Sequence, residues 1–263
     1  MLKDLYLNYV KNVMSNREGN NYPPFSTLIL AGGKGTRLSP LINDVPKPMA
    51  SIGGRPILEH VISELRRNQI TEIHISVCYM STVIKEYFGD GTKFGVKIRY
   101  IDEGTPLGTG GAVKLALKKM RIGKSDTVFV LNGDDIFTMD IMTMYRFHKE
   151  VGGFVTISIK EVPSADGLGV VSIDNSSGKI LSFDEKPTMK SASNHMVNIG
   201  KYFIDYQATA FFPVSDIFSI EREFFPALAR ASKLFGYVSK AEWYRSDTPE
   251  LYTSTRLKLG REE

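Results

Sequence analysis

A glycine-rich loop and a nearby lysine are the parts of this sequence best suited to chemistry on phosphate. The loop, residues 30–38, directly follows a short apolar run and contains three glycines and Arg37. Glycines allow positive φ and a close approach of the backbone, and successive N–H groups in such a turn bind anions. Lys47 stands between two prolines, which fix φ on either side of it. This combination predicts a site where fixed positive charge meets a phosphate-bearing ligand.

Two common nucleotide-binding motifs do not match the loop. The P-loop motif G-x-x-x-x-G-K-[ST] has its lysine after the last glycine, whereas here Lys34 sits before the last glycine, Gly35. The dinucleotide fingerprint G-x-G-x-x-G would begin at Gly33, but Leu38 takes the place of its third glycine. The loop therefore argues against NAD binding and against a Rossmann-type oxidoreductase.

Two adjacent carboxylates, Asp134 and Asp135, follow the apolar run at residues 126–132. Ligand sites in open α/β sheets lie at the carboxyl ends of strands, and Mg²⁺ takes one or two carboxylates together with phosphate oxygens. Asp134 is therefore a candidate metal ligand. The alternative is a helix N-cap for the segment that begins at Ile141, a role that Asp135 could take while Asp134 binds the metal.

The elements that must position these residues follow an alternating pattern. Apolar strand patterns alternate with amphipathic helix patterns through residues 25–150, which predicts a mostly parallel sheet with helices on both faces. After Gly152 strands dominate, including a predicted hairpin across residues 170–183. We expect an α/β fold of the Rossmann-like kind, with a mixed, mostly parallel sheet and a β-rich second half laid over its functional edge.

The pattern also predicts how the chain is organised. Residues 25–263 form one predicted domain with two halves, residues 25–150 and 151–263. Residues 1–24 are a predicted N-terminal extension with helical spacing of apolar residues. One interpretation is a helix lying on the body of the protein, and another is a dimerisation arm, which would make the protein a homo-oligomer.

Composition narrows the class of protein. The chain has 263 residues, 42% hydrophobic and 24% charged, as in soluble globular proteins. Its single cysteine excludes an intramolecular disulfide framework, and a net charge of +4 is too small to argue for a nucleic-acid partner. Neither a membrane span nor a secretory signal is visible, so we expect a cytoplasmic protein with no membrane partner.

The stretch LAGGKGTRLSPLINDVPKPM, residues 30–49, resembles the signature of the sugar-1-phosphate nucleotidyltransferases, or nucleotide-sugar pyrophosphorylases. The resemblance covers about residues 25–259 and continues through residues 56–65, 103–112, 132–134, 184–187, 197–200 and 248–250. Within the family the chain looks most like the guanylyltransferases that act on heptose 1-phosphate or mannose 1-phosphate. This implies transfer of a nucleotidyl group from a nucleoside triphosphate to a sugar 1-phosphate, with Mg²⁺ as cofactor and pyrophosphate leaving in line.

The resemblance also implies the roles of individual residues. Arg37 would bind the β- and γ-phosphates, Lys47 would stabilise the transition state at the α-phosphate, and Asp134 would hold the metal. The residues implied to bind the nucleotide are Ala31, Gly32, Gly33, Gly35, Thr36, Glu103, Pro106, Gly108 and Thr109. The residues implied to bind the sugar phosphate are Gly169, Glu185, Lys186 and Asn198.

Glu103 favours guanine as the base. A carboxylate only accepts hydrogen bonds, and guanine offers two adjacent N–H donors that it can accept in parallel. Uracil and thymine offer one N–H flanked by carbonyls, which suits an amide better. A loop glutamate in solvent is the alternative interpretation.

The chain departs from the family pattern near its end. The family has a second metal aspartate two residues after a tryptophan, but here Arg245 follows Trp243 at that spacing. An arginine cannot ligate Mg²⁺, so Asp247 would have to reach the metal through a local shift. The alternative is a non-catalytic homologue that binds a nucleotide or nucleotide sugar and regulates a partner subunit.

Overall fold

The computed structural model describes residues 23–35, 37–38, 41–42, 44–124, 126–187 and 195–260. The helix predicted within residues 1–24 and the predicted nucleotide-binding residue Thr36 therefore lie outside the described residues, apart from residues 23 and 24. The helices are α1 (Ile57–Arg67), α2 (Ser81–Phe88), α3 (Gly108–Lys119), α4 (Ile141–Val151), α5 (Phe225–Arg230) and α6 (Pro249–Leu259). Three short 3₁₀ turns and one π turn also occur in the described part, at Lys47–Met49, Thr92–Phe94, Tyr206–Phe211 and Ile220–Phe224.

The strands are short and are distributed over the whole described chain. They are β1 (Ser26–Leu30), β2 (Ser51–Ile52), β3 (Arg55–Pro56), β4 (Glu72–Val77), β5 (Lys97–Asp102), β6 (Thr127–Asn132), β7 (Ile136–Thr138), β8 (Val155–Val162), β9 (Gly169–Ile173), β10 (Ile180–Glu185), β11 (His195–Asp205), β12 (Leu234–Val238) and β13 (Glu242–Tyr244).

Within the described residues, nine strands form one mixed sheet. The strands β6, β1, β4 and β5 lie side by side and parallel. The strand β11 adds to β6 in antiparallel orientation, and β8 and β9 pair with β11 in turn. The fold class predicted from the alternating pattern is thus confirmed.

Helices cover both faces of the parallel strands. Side chains along each strand alternate between the two faces, so each face packs against its own helices. Ile29 faces a core shared with Val61 of α1 and Ile84 of α2, whereas its neighbour Leu28 faces a core shared with Val113 of α3. Buried on both faces, β1 and β6 read as continuous apolar runs, which is the signature of parallel strands between helix layers. This packing fixes the loops that leave β1 and β6.

The second half differs from the prediction in one respect. Its strands do not lie over the sheet but continue it, since β11 inserts directly beside β6. The predicted hairpin is confirmed as the antiparallel pair β9–β10. A shift of register between Asn198 and Tyr202 bends β11, and Gly200 accommodates the bend with a φ of +75°. The bent strand becomes one wall of the site described below.

The capping role suggested for Asp135 is wrong. The side chain of Asp140, directly before α4, accepts a hydrogen bond from Thr143 N and caps the helix. Asp135 instead is buried, and its carboxylate accepts hydrogen bonds from Trp243 and Ser246. Among the described residues, no helix is long and apolar enough to cross a membrane.

Candidate active site

Two adjoining cavities open at the carboxyl ends of β1, β5 and β6. The first has a volume of about 340 Å³ and the second about 360 Å³. Asn132, Asp134 and Thr109 line both, so the cavities share a wall. This is the edge where ligand sites of open α/β sheets lie.

The cavities divide the predicted residues between them. The predicted residues of the first cavity are Ala31, Gly32, Gly33, Gly35, Lys47, Glu103, Pro106, Gly108, Thr109 and Asp134. Those of the second cavity are Arg37, Thr109, Asp134, Gly169, Glu185, Lys186, Asn198 and Asp247. Arg37 was expected with the nucleotide residues, but its side chain lines the second cavity instead, near the boundary.

Gly35 fits the glycine-rich loop against Lys47. Its φ is +61°, and a Cβ atom added there would lie 2.6 Å from the Cβ of Lys47. Both facts exclude a larger residue, since other residues rarely adopt this φ and the contact is too short. Pro46 and Pro48 flank Lys47 at a short 3₁₀ turn, so the lysine sits on restrained backbone.

Lys47 is the centre of the charged groups. It is only 4% exposed, and its Nζ lies 2.9 Å from Asp134 Oδ2, 3.2 Å from Asp247 Oδ1 and 3.8 Å from Asp135 Oδ1. Burial alone would lower the pKa of Lys47, but the three carboxylates outweigh burial and raise it. The ammonium is therefore charged and is held by these carboxylates, next to Asp134 on the wall between the cavities.

Asp247 reaches this centre although its position in the sequence differs from the family pattern. Its Oδ2 accepts hydrogen bonds from Arg245, at 2.9 Å, while Oδ1 faces Lys47 and lies 3.7 Å from Arg37. Burial would raise the pKa of Asp247, yet the surrounding cations, Lys47 first, lower it. Arg245 thus lies behind Asp247 and donates also to the backbone oxygen of Asp166.

Asp135 fixes the turn that carries Asp247. Its carboxylate accepts hydrogen bonds from Trp243 Nε1 at 3.1 Å and from Ser246 N at 3.3 Å. Ser246 Oγ in turn donates to the backbone oxygen of Asp134 at 2.7 Å. Burial, together with the neighbouring Asp134, raises the pKa of Asp135 to about 6. Asp135 therefore supports the turn that carries Asp247, and it lines the second cavity but not the first.

Glu103 lines the first cavity, beside the glycine loop. Its Oε1 accepts a hydrogen bond from Ser76 Oγ at 2.9 Å, and a Cβ on Gly32 would come within 2.5 Å of the same oxygen. The glycine therefore makes room for the carboxylate. This geometry agrees with a carboxylate held ready to accept from a ligand in the cavity.

In the second cavity, the position of Gly169 leaves no room for a side chain. A Cβ there would lie 2.7 Å from Phe183 and 2.9 Å from Glu185 Oε2, so the glycine admits these side chains. Glu185 is half-buried, and burial, followed by the charge of Glu221, raises its pKa. Lys186 Nζ lies 3.3 Å from Glu185 and its backbone has a φ of +54°, which is uncommon outside glycine.

Asn198 is oriented by its own strand. Its Oδ1 accepts from Gly200 N at 3.0 Å, and its Nδ2 donates to Tyr202 Oη at 3.0 Å. A side-chain amide has two N–H donors and two acceptor lone pairs, so these two hydrogen bonds use only one donor and one lone pair. The bend of β11 is what turns this amide toward the second cavity.

The sequence of the chain matches a known protein family. A model of the nucleotidyl transferase family matches residues 26–248. The chain belongs to the nucleotidyl transferase family. A UTP–glucose-1-phosphate uridylyltransferase of Synechocystis is 33% identical over 248 residues, covering 89% of this chain and 63% of that protein. A mannose-1-phosphate guanylyltransferase of Mycobacterium tuberculosis is 34% identical over 236 residues, covering 89% and 64%.

Two further similarities support the same membership. The D-glycero-alpha-D-manno-heptose 1-phosphate guanylyltransferase of Campylobacter jejuni is 36% identical over 194 residues, covering 74% of this chain and 82% of that protein. The crystal structure of HddC from Yersinia pseudotuberculosis superposes with a TM-score of 0.75 at 29% identity, covering 89% of this chain and 99% of that chain. The chain spans slightly less than two thirds of the first two relatives.

Asp134 and Asp247 are the residues of this centre that could hold a hard divalent cation. Asp134 and Asp247 both direct an oxygen at the Lys47 nitrogen, so their oxygens converge on one point. The described residues contain no group of three or more His, Cys, Asp or Glu side chains arranged to hold a metal. Two carboxylates suffice for Mg²⁺, which takes its remaining ligands from phosphate and water.

Sequence reasoning missed several residues of the second cavity. Glu221 accepts hydrogen bonds from Thr109 Oγ1 and Ser219 Oγ, both at 2.6 Å, and thereby joins the two cavities. Ser219 also caps the π turn at Ile220–Phe224, so the serine before Glu221 was the available sequence signal. Asn132 could have been found in the same way as Asp134, because it too lies at the carboxyl end of the apolar strand β6.

Proposed function

We propose that the chain transfers a guanylyl group from GTP to a sugar 1-phosphate, giving a GDP-sugar and pyrophosphate by direct in-line displacement with Mg²⁺. The observation that carries this proposal is the convergence of Lys47, Asp134 and Asp247 where the two cavities share a wall. Two phosphorylated substrates that react with each other need neighbouring sites and a charged group at the boundary.

The first cavity suits the triphosphate. The glycine loop at residues 32–35 offers backbone N–H groups to phosphate oxygens. Negative charge builds up around the α-phosphorus during displacement, so a preorganised cation there is worth more in the transition state than in the ground state. Lys47 would supply that cation by turning its ammonium from the carboxylates to the α-phosphate. Arg37, near the boundary, would follow the charge onto the leaving pyrophosphate.

The carboxylates would serve the cofactor. Asp134 and Asp247 would hold Mg²⁺, which when bound neutralises charge on the phosphate oxygens of the substrate. Arg245 would orient Asp247, since it engages the oxygen that faces away from Lys47.

The first cavity also supports guanine as the base. The carboxylate of Glu103 would accept the adjacent N–H donors of guanine, and Ser76 would hold that carboxylate in place. Relatives of the chain include both uridylyl- and guanylyltransferases by name, so the assignment of the base rests on this carboxylate.

The second cavity suits a sugar phosphate. Glu185 and Asn198 would bind sugar hydroxyls, and Lys186 would neutralise the phosphate. Among sugar phosphates we propose heptose 1-phosphate or mannose 1-phosphate, the substrates named for two of the relatives.

A regulatory, non-catalytic role is the alternative. It would require Arg245 to take the place of the metal, but Arg245 lies behind Asp247 and a carboxylate faces Lys47. This arrangement supports the enzyme over the regulatory homologue.

The decisive experiment measures pyrophosphate release with GTP, UTP, ATP, CTP and dTTP, each against heptose, mannose and glucose 1-phosphates. We expect the highest kcat/KM for GTP with one of the first two sugars. Equal use of UTP would refute the guanine assignment alone, whereas no release with any pair would refute the reaction and favour the regulatory homologue.

A further inference from the structure

Glu221 lies where the two cavities meet, and the proposed reaction assigns no role to it. The residue belongs to the π turn Ile220–Phe224, which Ser219 caps. It is half-buried and lines the second cavity. A carboxylate brings negative charge into a cavity that is proposed to bind a phosphorylated sugar, so its presence there needs a physical reason.

One oxygen of Glu221 is held by two hydroxyl groups. Its Oε2 accepts from Thr109 Oγ1 and from Ser219 Oγ, both at 2.6 Å. Thr109 Oγ1 itself accepts from Ile220 N at 3.1 Å, and Ser219 Oγ accepts from the backbone N of Glu221 and of Arg222, each at 3.2 Å. Since the backbone N–H groups occupy the acceptor side of both hydroxyls, their protons are directed at the carboxylate.

The backbone fixes the two segments that carry these groups. Phe218 N donates to the backbone oxygen of Leu107 at 3.1 Å, and Phe218 O accepts from Gly110 N at 2.9 Å. A Cβ on Gly108 would lie 2.6 Å from the same oxygen of Phe218, so the start of α3 and the segment before the π turn are in close contact. The carboxylate of Glu221 therefore keeps one orientation relative to Thr109, which lines both cavities.

The other oxygen of Glu221 is open to a ligand. Among the residues that the structure describes, only Thr109 and Ser219 donate a hydrogen bond to this side chain, and both use Oε2. A carboxylate only accepts hydrogen bonds, and each of its oxygens has two lone pairs. Oε1 is thus a preorganised acceptor in the second cavity, and the hydroxyls of a sugar are donors of the right kind.

A second carboxylate, Glu185 at the end of β10, lines the same cavity. The two side chains lie close enough for the charge of Glu221 to raise the pKa of Glu185, after burial. Lys186 Nζ lies 3.3 Å from Glu185, and the exposed Arg222 also lines the cavity. Two acceptors suit a ligand rich in hydroxyls, whereas a carboxylate on the sugar would meet like charge from both.

We propose that Glu221 is a specificity-determining residue of the sugar site: its Oε1 accepts a hydrogen bond from a sugar hydroxyl, and its charge disfavours sugar 1-phosphates that carry a carboxylate. The substrate class is then a sugar 1-phosphate whose only anionic group is the phosphate. This inference rests on the proposed function in one respect, the assignment of the second cavity to the sugar.

The first test removes hydroxyls from the substrate and the acceptor from the protein. The probes are mannose 1-phosphate and its 2-, 3-, 4- and 6-deoxy forms, each with GTP. A hydrogen bond to a charged group predicts that one deoxy form loses about 10- to 100-fold in kcat/KM with the wild type. In Glu221→Ala the same deoxy form should lose less than about threefold relative to mannose 1-phosphate, because the partner of that hydroxyl is gone.

The second test isolates the charge. In Glu221→Gln the amide oxygen can still accept from Thr109 and Ser219, while an NH₂ donor takes the place of Oε1. The kcat/KM for mannuronic acid 1-phosphate, relative to that for mannose 1-phosphate, should be low in the wild type and rise by about tenfold or more in this variant. The matched control is Glu223→Gln on the same turn. Glu223 is exposed, lines neither cavity and accepts from Ser219 N at 3.0 Å, so this variant should keep the wild-type ratio.

A merely structural role predicts a different result. If Glu221 only held Thr109 and Ser219 in place, Glu221→Ala would lower kcat/KM by the same factor for mannose 1-phosphate and for every deoxy form. That result would overturn the proposal, and so would an unchanged ratio for the uronic acid in Glu221→Gln. If Glu221→Ala does not fold, Glu221→Gln takes its place in the first test: a smaller loss for the deoxy form than in the wild type supports the proposal, and an equal loss overturns it.

The outcomes also separate this proposal from the proposed function. Pyrophosphate release without any discrimination among the deoxy forms leaves the reaction in place and overturns the role of Glu221. If the wild type releases no pyrophosphate, the proposed function fails, and the affinities for mannose 1-phosphate and its deoxy forms, measured by calorimetry in wild type and Glu221→Ala, decide the contact instead. A wild type that binds none of these compounds would overturn both.

Discussion

Replacing Lys47 with methionine removes the cation on which Asp134 and Asp247 converge, and two effects follow. The ammonium is 4% exposed and lies within 3.2 Å of both carboxylates, so solvent screens it little. Loss of one preorganised donor at developing charge typically costs about 10²–10³ in rate. We expect kcat for pyrophosphate release to fall by roughly this factor, while GTP binding, measured by calorimetry, changes much less.

The second effect concerns stability and metal. Without Lys47, three carboxylates lie close together with less positive charge between them. Breaking a buried ion pair by removing one partner costs about 3–5 kcal/mol, which lowers the melting temperature by on the order of 10 °C. Mg²⁺ binding to the folded state would offset this repulsion. Lys47→Met should therefore gain more melting temperature from added Mg²⁺ than the wild type does.

Lys85→Met is the matched control, since Lys85 forms an exposed pair with Asp102 that is worth little. It should leave kcat and the response to Mg²⁺ unchanged. A loss in kcat of less than about threefold in Lys47→Met would remove Lys47 from the mechanism. An equal gain from Mg²⁺ in wild type and variant would contradict a metal site at Asp134 and Asp247.

Three further perturbations address other parts of the site and fold. Glu103→Gln should reduce the preference for GTP over UTP in kcat/KM, because the amide presents a donor to one guanine N–H; an unchanged preference would contradict a base contact. Asp247→Asn should lower kcat and raise the Mg²⁺ concentration needed for half-maximal rate. Both effects should be larger than in Arg245→Ala, because Lys47 still holds Asp247 in that variant. Larger effects in Arg245→Ala would contradict the roles assigned to the two residues. Burial opposes the charge of Asp205, but hydrogen bonds, that of His148 first, lower its pKa from 3.8 to about 2. The charged Asp205 therefore stabilises the folded protein fully above about pH 4, and this stabilisation is lost as the pH falls toward 2. At neutral pH the melting temperature of Asp205→Asn should lie below that of the wild type, and the difference between the two should disappear as the pH falls from about 4 to 2.

Much of the fold follows from local patterns in the sequence. The strands β1 and β6 are continuous apolar runs and α1 has a single apolar stripe, so their types and positions are evident. The strands β7 and β13 have three residues each, too few to show a period. The insertion of β11 beside β6 depends on pairing between distant segments, which no local pattern encodes.

The residues of the site also differ in how far the sequence reveals them. Gly35 and Lys47 belong to one short motif, and the contact between them explains both residues. Asp247 is displaced by two residues from the expected spacing, and only the hydrogen bonds of Asp135 to the turn before it show how it reaches Lys47. Glu221 lies on the π turn at Ile220–Phe224, and only the folding of the chain brings this turn to the second cavity.

The most direct test of the account is the fate of oxygen in the reaction. A sugar 1-phosphate labelled with ¹⁸O at its non-bridging phosphate oxygens, with GTP and Mg²⁺, is followed by mass spectrometry and ³¹P NMR. Direct attack of the sugar phosphate on the α-phosphorus predicts that a GDP-sugar forms in step with pyrophosphate and retains all of the label, one labelled oxygen now bridging the two phosphorus atoms. Label in pyrophosphate, or pyrophosphate released without any GDP-sugar, would contradict the account.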